Sequence, residues 1–466
     1  MSPSSDPGAS PPERTAADRV GGPLFVDLYE LTMAAGYLRA GLTHTATFDL
    51  FVRHLPERRR FLVAAGLEDV LEHLERLRFT DRDLELLEGL GRFDREFLDQ
   101  IAELRFTGEV WAVPEGEVVF ADEPLLRVTA PLIEAQLVET RLLNLVASQT
   151  MVASKAARVA LACGDRAFVD FSARRDHGPA AAAQAARASY IGGASGTSLV
   201  SAAVTLGIPA SGTMAHSFVM SFDDERDAFV AFARRFPDGA VLLIDTYDTE
   251  AGARLVVEVA HALAPEGVRI GGVRLDSGDL VRLARSVRSI LDGGGLTETS
   301  IFASGDLDED RITEIVGAGA PIDAFGVGTQ LGTSADAPNL GAVYKLVDDE
   351  RGPRIKLSTE KATLPGRKQV WRVERVNGTA DHDVIGLADE TVPGGRPLLE
   401  QVMADGRRTR EAPPLGAARD RRAAAVAGLP SRLRSLAGRE RPYVVRHSSG
   451  LTALVERLTA EHRPSR

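Results

Sequence analysis

The residue with the widest chemical reach in this chain is His216, within G-I-P-A-S-G-T-M-A-H-S-F-V (207–219), which reads as a buried strand, a glycine turn and a polar cluster. Imidazole as a side-chain type titrates near neutrality and can act as base, acid or phosphoryl acceptor. Gly212 and Thr213 precede it and Ser217 follows, so amides and hydroxyls are at hand to hold one tautomer or bind an anion. A lone histidine is more often an ordinary hydrogen-bonded residue, and this segment alone does not separate the two.

Other clusters supply complementary groups. V-R-L-D-S-G-D (273–279) sets Arg274 beside Asp276 and Asp279: the guanidinium can fork onto a carboxylate or phosphate, and either acid can bind Mg²⁺ directly or through water. An internal salt bridge is the competing account. F-S-A-R-R-D-H-G (171–178) adds Arg174 and Arg175, with Asp170 just inside the preceding run, where an unpaired charge would be costly. In F-A-S-G-D-L-D-E (302–309), Gly305 permits close backbone approach, and Asp306 can accept ribose hydroxyls or help hold a metal. A helix N-cap followed by first-turn acids fits that stretch equally well. F-G-V-G-T-Q-L (325–331) can present amides to a phosphate but lacks the lysine and spacing of a Walker loop. Y-I-G-G-A-S-G-T-S (190–198) has similar ingredients.

These clusters share a position. Apolar runs at 167–171, near Ile208, and at 272–275, 300–303 and 322–325 each end in one of them, and 241–244 ends in a further polar cluster, D-T-Y-D-T; each leads into a helical segment. Most recur every roughly 30 to 40 residues, as βα units do. Parallel strands deliver their C-terminal ends to one face, where α/β barrels keep their active sites. Too few units are present for a complete eight-stranded barrel, so an irregular or incomplete one is expected, with a doubly wound open sheet as the alternative.

Upstream, 25–38 reads as a helix with Asp27 as N-cap and Tyr29 on its face, 47–52 as a strand and 61–77 as an amphipathic helix. Valine-rich 108–128 reads as short antiparallel strands, and 132–161 as a long helix. Past Leu340, hairpin strands are expected at 344–346, 355–357 and 369–373, and the arginines of the last 60 residues read as a solvated helical surface.

With 466 residues, the chain exceeds what one core usually organises. Its 44% hydrophobic content and mixed charges suit a soluble globular protein. A net charge of −11 argues against nucleic acid as a general partner, so an anionic substrate must be met by local cations. Cys163 is the single cysteine, which excludes an internal disulfide or cysteine-rich zinc site and fits a reducing cytoplasm. No segment reaches the roughly 18 apolar residues of a membrane helix. Residues 1–22 lack an apolar signal core and read as a disordered lead-in.

Taken in order, D-L-Y-E-L-T-M, D-F-S-A-R-R, Y-I-G-G-A-S-G-T-S, the His216 stretch, V-R-L-D-S-G-D-L, A-S-G-D-L-D-E, F-G-V-G-T-Q-L and P-G-R-K-Q-V-W-R closely resemble nicotinate phosphoribosyltransferase. Val26 and Ser172 depart from the residues frequent there, threonine and glycine, without removing a reactive group. The resemblance implies a type II phosphoribosyltransferase-like incomplete α/β barrel at 146–340. It further implies an α+β domain at 23–145, completed by the C-terminal segment 341–466, which includes an arginine-rich tail. The implied reaction is an ATP-coupled ligation of nicotinate and 5-phosphoribosyl 1-diphosphate, giving nicotinate mononucleotide and pyrophosphate for NAD biosynthesis by salvage. His216 would be the phosphohistidine, with Arg274 and Asp276 catalytic, and Arg174 would anchor anionic groups. Mg²⁺ would be the cofactor, with Asp276 and Asp279 as ligands. Asp170, Thr213, Ser304, Gly305, Asp306, Gly326, Gly328 and Thr329 would contact substrate, and Tyr29 would stack on nicotinate from a neighbouring subunit of a cytoplasmic homodimer with shared sites. Nicotinamide or quinolinate as substrate, or a nucleotide sensor without turnover, are the other readings.

Overall fold

The computed structural model describes residues 22–358, 362–436 and 441–462, so all but Gly22 of the expected lead-in lies outside the described residues. The strand-like runs with polar ends become one parallel sheet of six strands, ordered Gly196–Thr197, Ala167–Asp170, Ala324–Val327, Ser300–Ala303, Ile270–Leu275, Ala240–Leu243. This is chain order shifted cyclically, because the last strand in sequence pairs with the first, Val327 opposite Asp170. A doubly wound sheet, whose order reverses at a switch point, is therefore excluded. One parallel bridge, Thr197 to Ala210, extends the Gly196–Thr197 edge. No pairing among the described residues joins that edge to Ala240–Leu243, so the barrel is incomplete, and residues 211–239 run through the gap. The expected strand at Ile208 is reduced to this bridge.

Continuous apolar runs make these strands because both faces are covered. Leu242, Val273, Ile301 and Phe325 meet Val256, Val287 and Ile312 from the helices that follow. The 25-residue helix Glu139–Cys163 runs along the barrel, uninterrupted by glycine or proline, and ends at Gly164 with φ of 62°. It packs on Pro179–Gly192, where a Cβ on Gly192 would lie 2.4 Å from the Ala153 carbonyl oxygen, so only glycine allows the approach.

A seven-stranded antiparallel sheet takes Thr45–Val52, Pro124–Pro131 and Glu109–Ala112 from before the barrel, and Ala342–Asp349, Gly352–Pro353, Glu400–Ala404 and Arg407–Arg408 from after it. Lys368–Glu374 and Ala380–Leu387 belong to a separate four-stranded sheet. The helix expected at 61–77 begins only at Leu67, because Leu62–Val63 pairs with Val118–Val119. Helix 132–161 is two helices, Leu132–Gln136 and Glu139–Cys163, and residues 355–357 form no strand. The tail arginines are not uniformly solvated: Arg408 binds Glu75 at 2.9 Å, and Arg421 donates to the Glu115 carbonyl oxygen at 2.5 Å. No helix among the described residues is long and apolar enough to cross a membrane.

Candidate active site

The chain through the barrel gap carries the histidine to the strand ends. His216 opens the short helix His216–Met220 and is part-exposed. Its Nδ1 lies 3.2 Å from Thr246 Oγ1, just beyond Ala240–Leu243, and its Nε2 lies 3.9 Å from Asp276 Oδ2. Two adjacent strand ends thus fix the ring, and one nitrogen remains without a close partner.

Arg274 ties this corner together. Its Nε donates to Ser304 Oγ at 2.9 Å, Nη1 to Thr213 Oγ1 and the Met214 carbonyl at 3.2 Å each, and Nη2 to Asp276 Oδ1 at 2.8 Å. Four of its five N–H groups are engaged, which leaves one on Nη2. The guanidinium also lies 5.7 Å from the Phe171 ring centre. Ser304, itself buried, donates to Asp276 Oδ1 at 2.5 Å. Burial alone would raise the Asp276 carboxyl, but Arg274, Ser304 and His216 together hold it below the usual carboxylate range.

The acids at the strand ends divide by position. In D-T-Y-D and D-S-G-D the second acid caps the next helix: Asp248 accepts from Ala251 N at 2.7 Å and Asp279 from Arg282 N at 3.1 Å. The first acid turns toward the site. Asp245 Oδ2 accepts from Asp276 N at 2.8 Å and Ser277 Oγ at 2.7 Å, while its Oδ1 is buried without a partner. Asp279, expected as a metal ligand, is therefore a helix cap. No three His, Cys, Asp or Glu groups among the described residues form a metal cage. Mg²⁺ commonly uses one or two carboxylates plus waters and substrate phosphates, and the orphaned Asp245 Oδ1 beside Asp276 fits that pattern.

The remaining expected residues separate. A Cβ on Gly305, whose φ is 98°, would lie 2.1 Å from the Asp276 carbonyl oxygen, so this glycine allows two strand-end turns to touch. Asp306 follows it, exposed, with φ of 45°. Gly328 and Thr329 stand partly exposed where Ala324–Val327 ends. Arg174 is exposed and makes no hydrogen bond or ion pair among the described residues. Asp170 is buried, with Oδ1 accepting from Ser172 N at 2.9 Å and Oδ2 from Thr197 Oγ1 at 2.8 Å. Burial raises its carboxyl against those two bonds, and it braces neighbouring strands rather than meeting ribose. Gly326 is likewise no phosphate cradle, since the Phe171 ring lies 2.6 Å from where its Cβ would stand. Tyr29, 45% exposed on Leu28–Arg39, makes no hydrogen bond or ring contact with His216 or Arg274 among the described residues.

Comparison with known proteins identifies the family. Residues 24–147 match the nicotinate phosphoribosyltransferase N-terminal domain, and residues 166–348 match the nicotinate phosphoribosyltransferase family. A nicotinate phosphoribosyltransferase of Mycobacterium tuberculosis is 49% identical over 95% of this chain and 96% of its own. The chain belongs to the nicotinate phosphoribosyltransferase family. The Bacillus subtilis nicotinate phosphoribosyltransferase is 44% identical over 79% of this chain and 77% of its own. The crystal structure of human nicotinic acid phosphoribosyltransferase superposes with a TM-score of 0.84 at 32% identity, covering 93% of this chain and 99% of that one.

Within this nicotinate phosphoribosyltransferase fold, sequence reasoning missed Asp245 and Thr246. Their stretch, D-T-Y-D-T, follows a strand as the other clusters do but contains no cation, histidine or glycine. The D-x-x-D spacing shared with 276–279 was the available signal: two turns of the same pattern place one acid at the site and one at a helix cap.

Proposed function

We propose that this chain joins nicotinate to 5-phosphoribosyl 1-diphosphate, releasing nicotinate mononucleotide and pyrophosphate in NAD biosynthesis, and that ATP hydrolysis drives the step through phosphorylated His216. The observation that carries this reading is His216, its Nδ1 held by Thr246 and its Nε2 facing the Arg274–Asp276–Ser304 corner. With Nδ1–H donating to the threonine hydroxyl, Nε2 offers its lone pair to the γ-phosphorus of ATP. The N–P bond forms as the bond to ADP breaks, and ADP departs with its electron pair. Water later takes the phosphoryl group as inorganic phosphate and regenerates the imidazole.

In the transfer itself, the bond from the anomeric carbon to pyrophosphate lengthens before the pyridine nitrogen closes on that carbon, so positive charge builds on the ribosyl ring. Asp276, kept ionised by Arg274 and Ser304, suits that charge. Asp245 and Asp276 are the residues that would hold Mg²⁺, which would supply charge neutralisation to the departing diphosphate. Arg174 and the one unengaged Arg274 N–H serve the anionic ends of the substrates. The 305–306 and 328–329 turns receive the 5-phosphate. The chain acts as a cytoplasmic homodimer: exposed Leu28, Tyr29 and Met33 on one helix, and exposed Val200, Val204 and Met220 near the strand ends, are apolar faces suited to meeting across subunits.

The test incubates purified protein with phosphoribosyl diphosphate, Mg²⁺, ATP and each candidate base, and measures pyrophosphate and mononucleotide. Nicotinate is expected to turn over far faster than nicotinamide or quinolinate, with ADP formed alongside. Equal or greater turnover with nicotinamide would overturn the substrate assignment.

A further inference from the structure

At the opposite end of the barrel strands, the tail helix Leu415–Ala427 lies over the start of Ala167–Asp170 and encloses an open cavity of about 670 Å³. Its lining includes Arg166, Arg419, Arg422 and Arg434 against one acid, Asp165. Such a surplus of cations is unexpected in a chain of net charge −11.

Arg422 is the decisive residue. Its Nε is buried without a hydrogen-bond partner, and the guanidinium makes no hydrogen bond or ion pair among the described residues. Burial and the nearby Arg419 push its pKa down to about 10. The place is nonetheless built for it: a Cβ on Gly193 would fall 2.2 Å from Arg422 Nη2, so the glycine leaves room for the guanidinium. Two neighbours are anchored through Nε alone, Arg166 to the Ile322 carbonyl at 2.9 Å and Arg419 to the Ala194 carbonyl at 3.2 Å, and Arg419 also lies over the Tyr190 ring. Their terminal nitrogens stay open to a ligand. Guanidinium groups held this way match the oxygens of a phosphate, and the cavity falls within the size range of small-molecule sites.

We propose that this cavity is a second anion site, distinct from the catalytic strand ends, which binds a small phosphate-bearing metabolite between Arg166, Arg419, Arg422 and Arg434. The ligand pairs with the terminal nitrogens of the Arg422 guanidinium, which no described residue engages. The charge surplus favours a dianion over a monocarboxylate.

Equilibrium dialysis of the full chain against radiolabelled inorganic phosphate, with ionic strength held by sodium chloride, tests this directly. The parent protein should bind about one more phosphate per chain than Arg422→Gln, with turnover of that variant within about twofold of the parent. Arg434→Gln, on an exposed residue whose replacement leaves folding untouched, should weaken the same phosphate severalfold. Equal stoichiometry and affinity in the parent and both variants would overturn the proposal, as would displacement of the extra phosphate by chloride or acetate as readily as by ATP.

Discussion

Two clusters of basic side chains and carboxylates lie on the same barrel and have opposite fates. At the strand ends, Arg274, Asp276, Ser304 and His216 bond closely, yet Asp276 Oδ2, one Arg274 N–H and a histidine nitrogen stay reachable. Between Glu139–Cys163 and Glu309–Gly317, Lys155 binds Glu309 at 2.5 Å and Asp336 at 2.8 Å, Arg158 binds Glu309 at 2.8 Å, and Arg59 binds Asp336 at 2.6 Å. The lysine and both arginines of this second cluster are buried, and each acid is doubly engaged. Short ionic contacts therefore do not mark chemistry. What marks it is unspent hydrogen-bonding capacity that a substrate can reach.

The comparison breaks most visibly if the buried cluster is damaged. Lys155→Met leaves two carboxylates facing each other without their shared cation, and about 3–5 kcal/mol of stability should be lost. Denaturant midpoints measure the loss, and turnover per folded molecule should stay close to the parent's. At the strand ends the pattern inverts. Arg274→Ala should lower kcat/KM by about 10²- to 10³-fold, roughly 2.7–4 kcal/mol in the barrier. A near-normal rate would make Arg274 another structural salt-bridge residue.

Acid sharpens the same contrast. Burial would raise the Glu309 and Asp336 carboxyls, but Lys155 with Arg158, and Arg59 with Lys155, hold both below their ordinary range. A depressed folded pKa gives stability that is present above the unfolded value of about 4 and lost as pH falls through the folded one. Unfolding midpoints should drop below about pH 4 in the parent and drop less steeply in Lys155→Met. The smallest effect belongs to Asp279. Asp279→Ala should cost about 1 kcal/mol as a lost cap, with turnover barely changed. A collapse of turnover at unchanged stability would return Asp279 to the metal site.

Much of the site was legible because local chemistry and strand-end position coincide. Arg274 lies near the end of Ile270–Leu275 and Asp276 just after it, while Ser304 follows the adjacent strand Ser300–Ala303, so their meeting needs only the parallel order. What stayed hidden depends on contacts between distant segments. Gly326 looks like a phosphate-binding glycine until Phe171 packs over it, and Asp170 looks like a ligand until Thr197 reaches it from the next strand. The helix expected at 61–77 starts only at Leu67, because Leu62 pairs opposite Val119 and Val63 opposite Val118, residues far along the chain. The tail arginines read as solvated because nothing in an Arg- and Ala-rich stretch says which of them will fold back, as Arg419 does onto Ala194 and Arg421 onto Glu115.

The central claim is that unspent capacity at the strand ends is chemical, and that His216 carries the phosphoryl group between ATP and the transfer. The direct measurement is labelling with γ-labelled ATP followed by acid and base treatment, on the parent and on His216→Ala. The parent should acquire an acid-labile, base-stable label that His216→Ala lacks while it still folds. Undiminished labelling of His216→Ala would contradict the account and move the acceptor elsewhere.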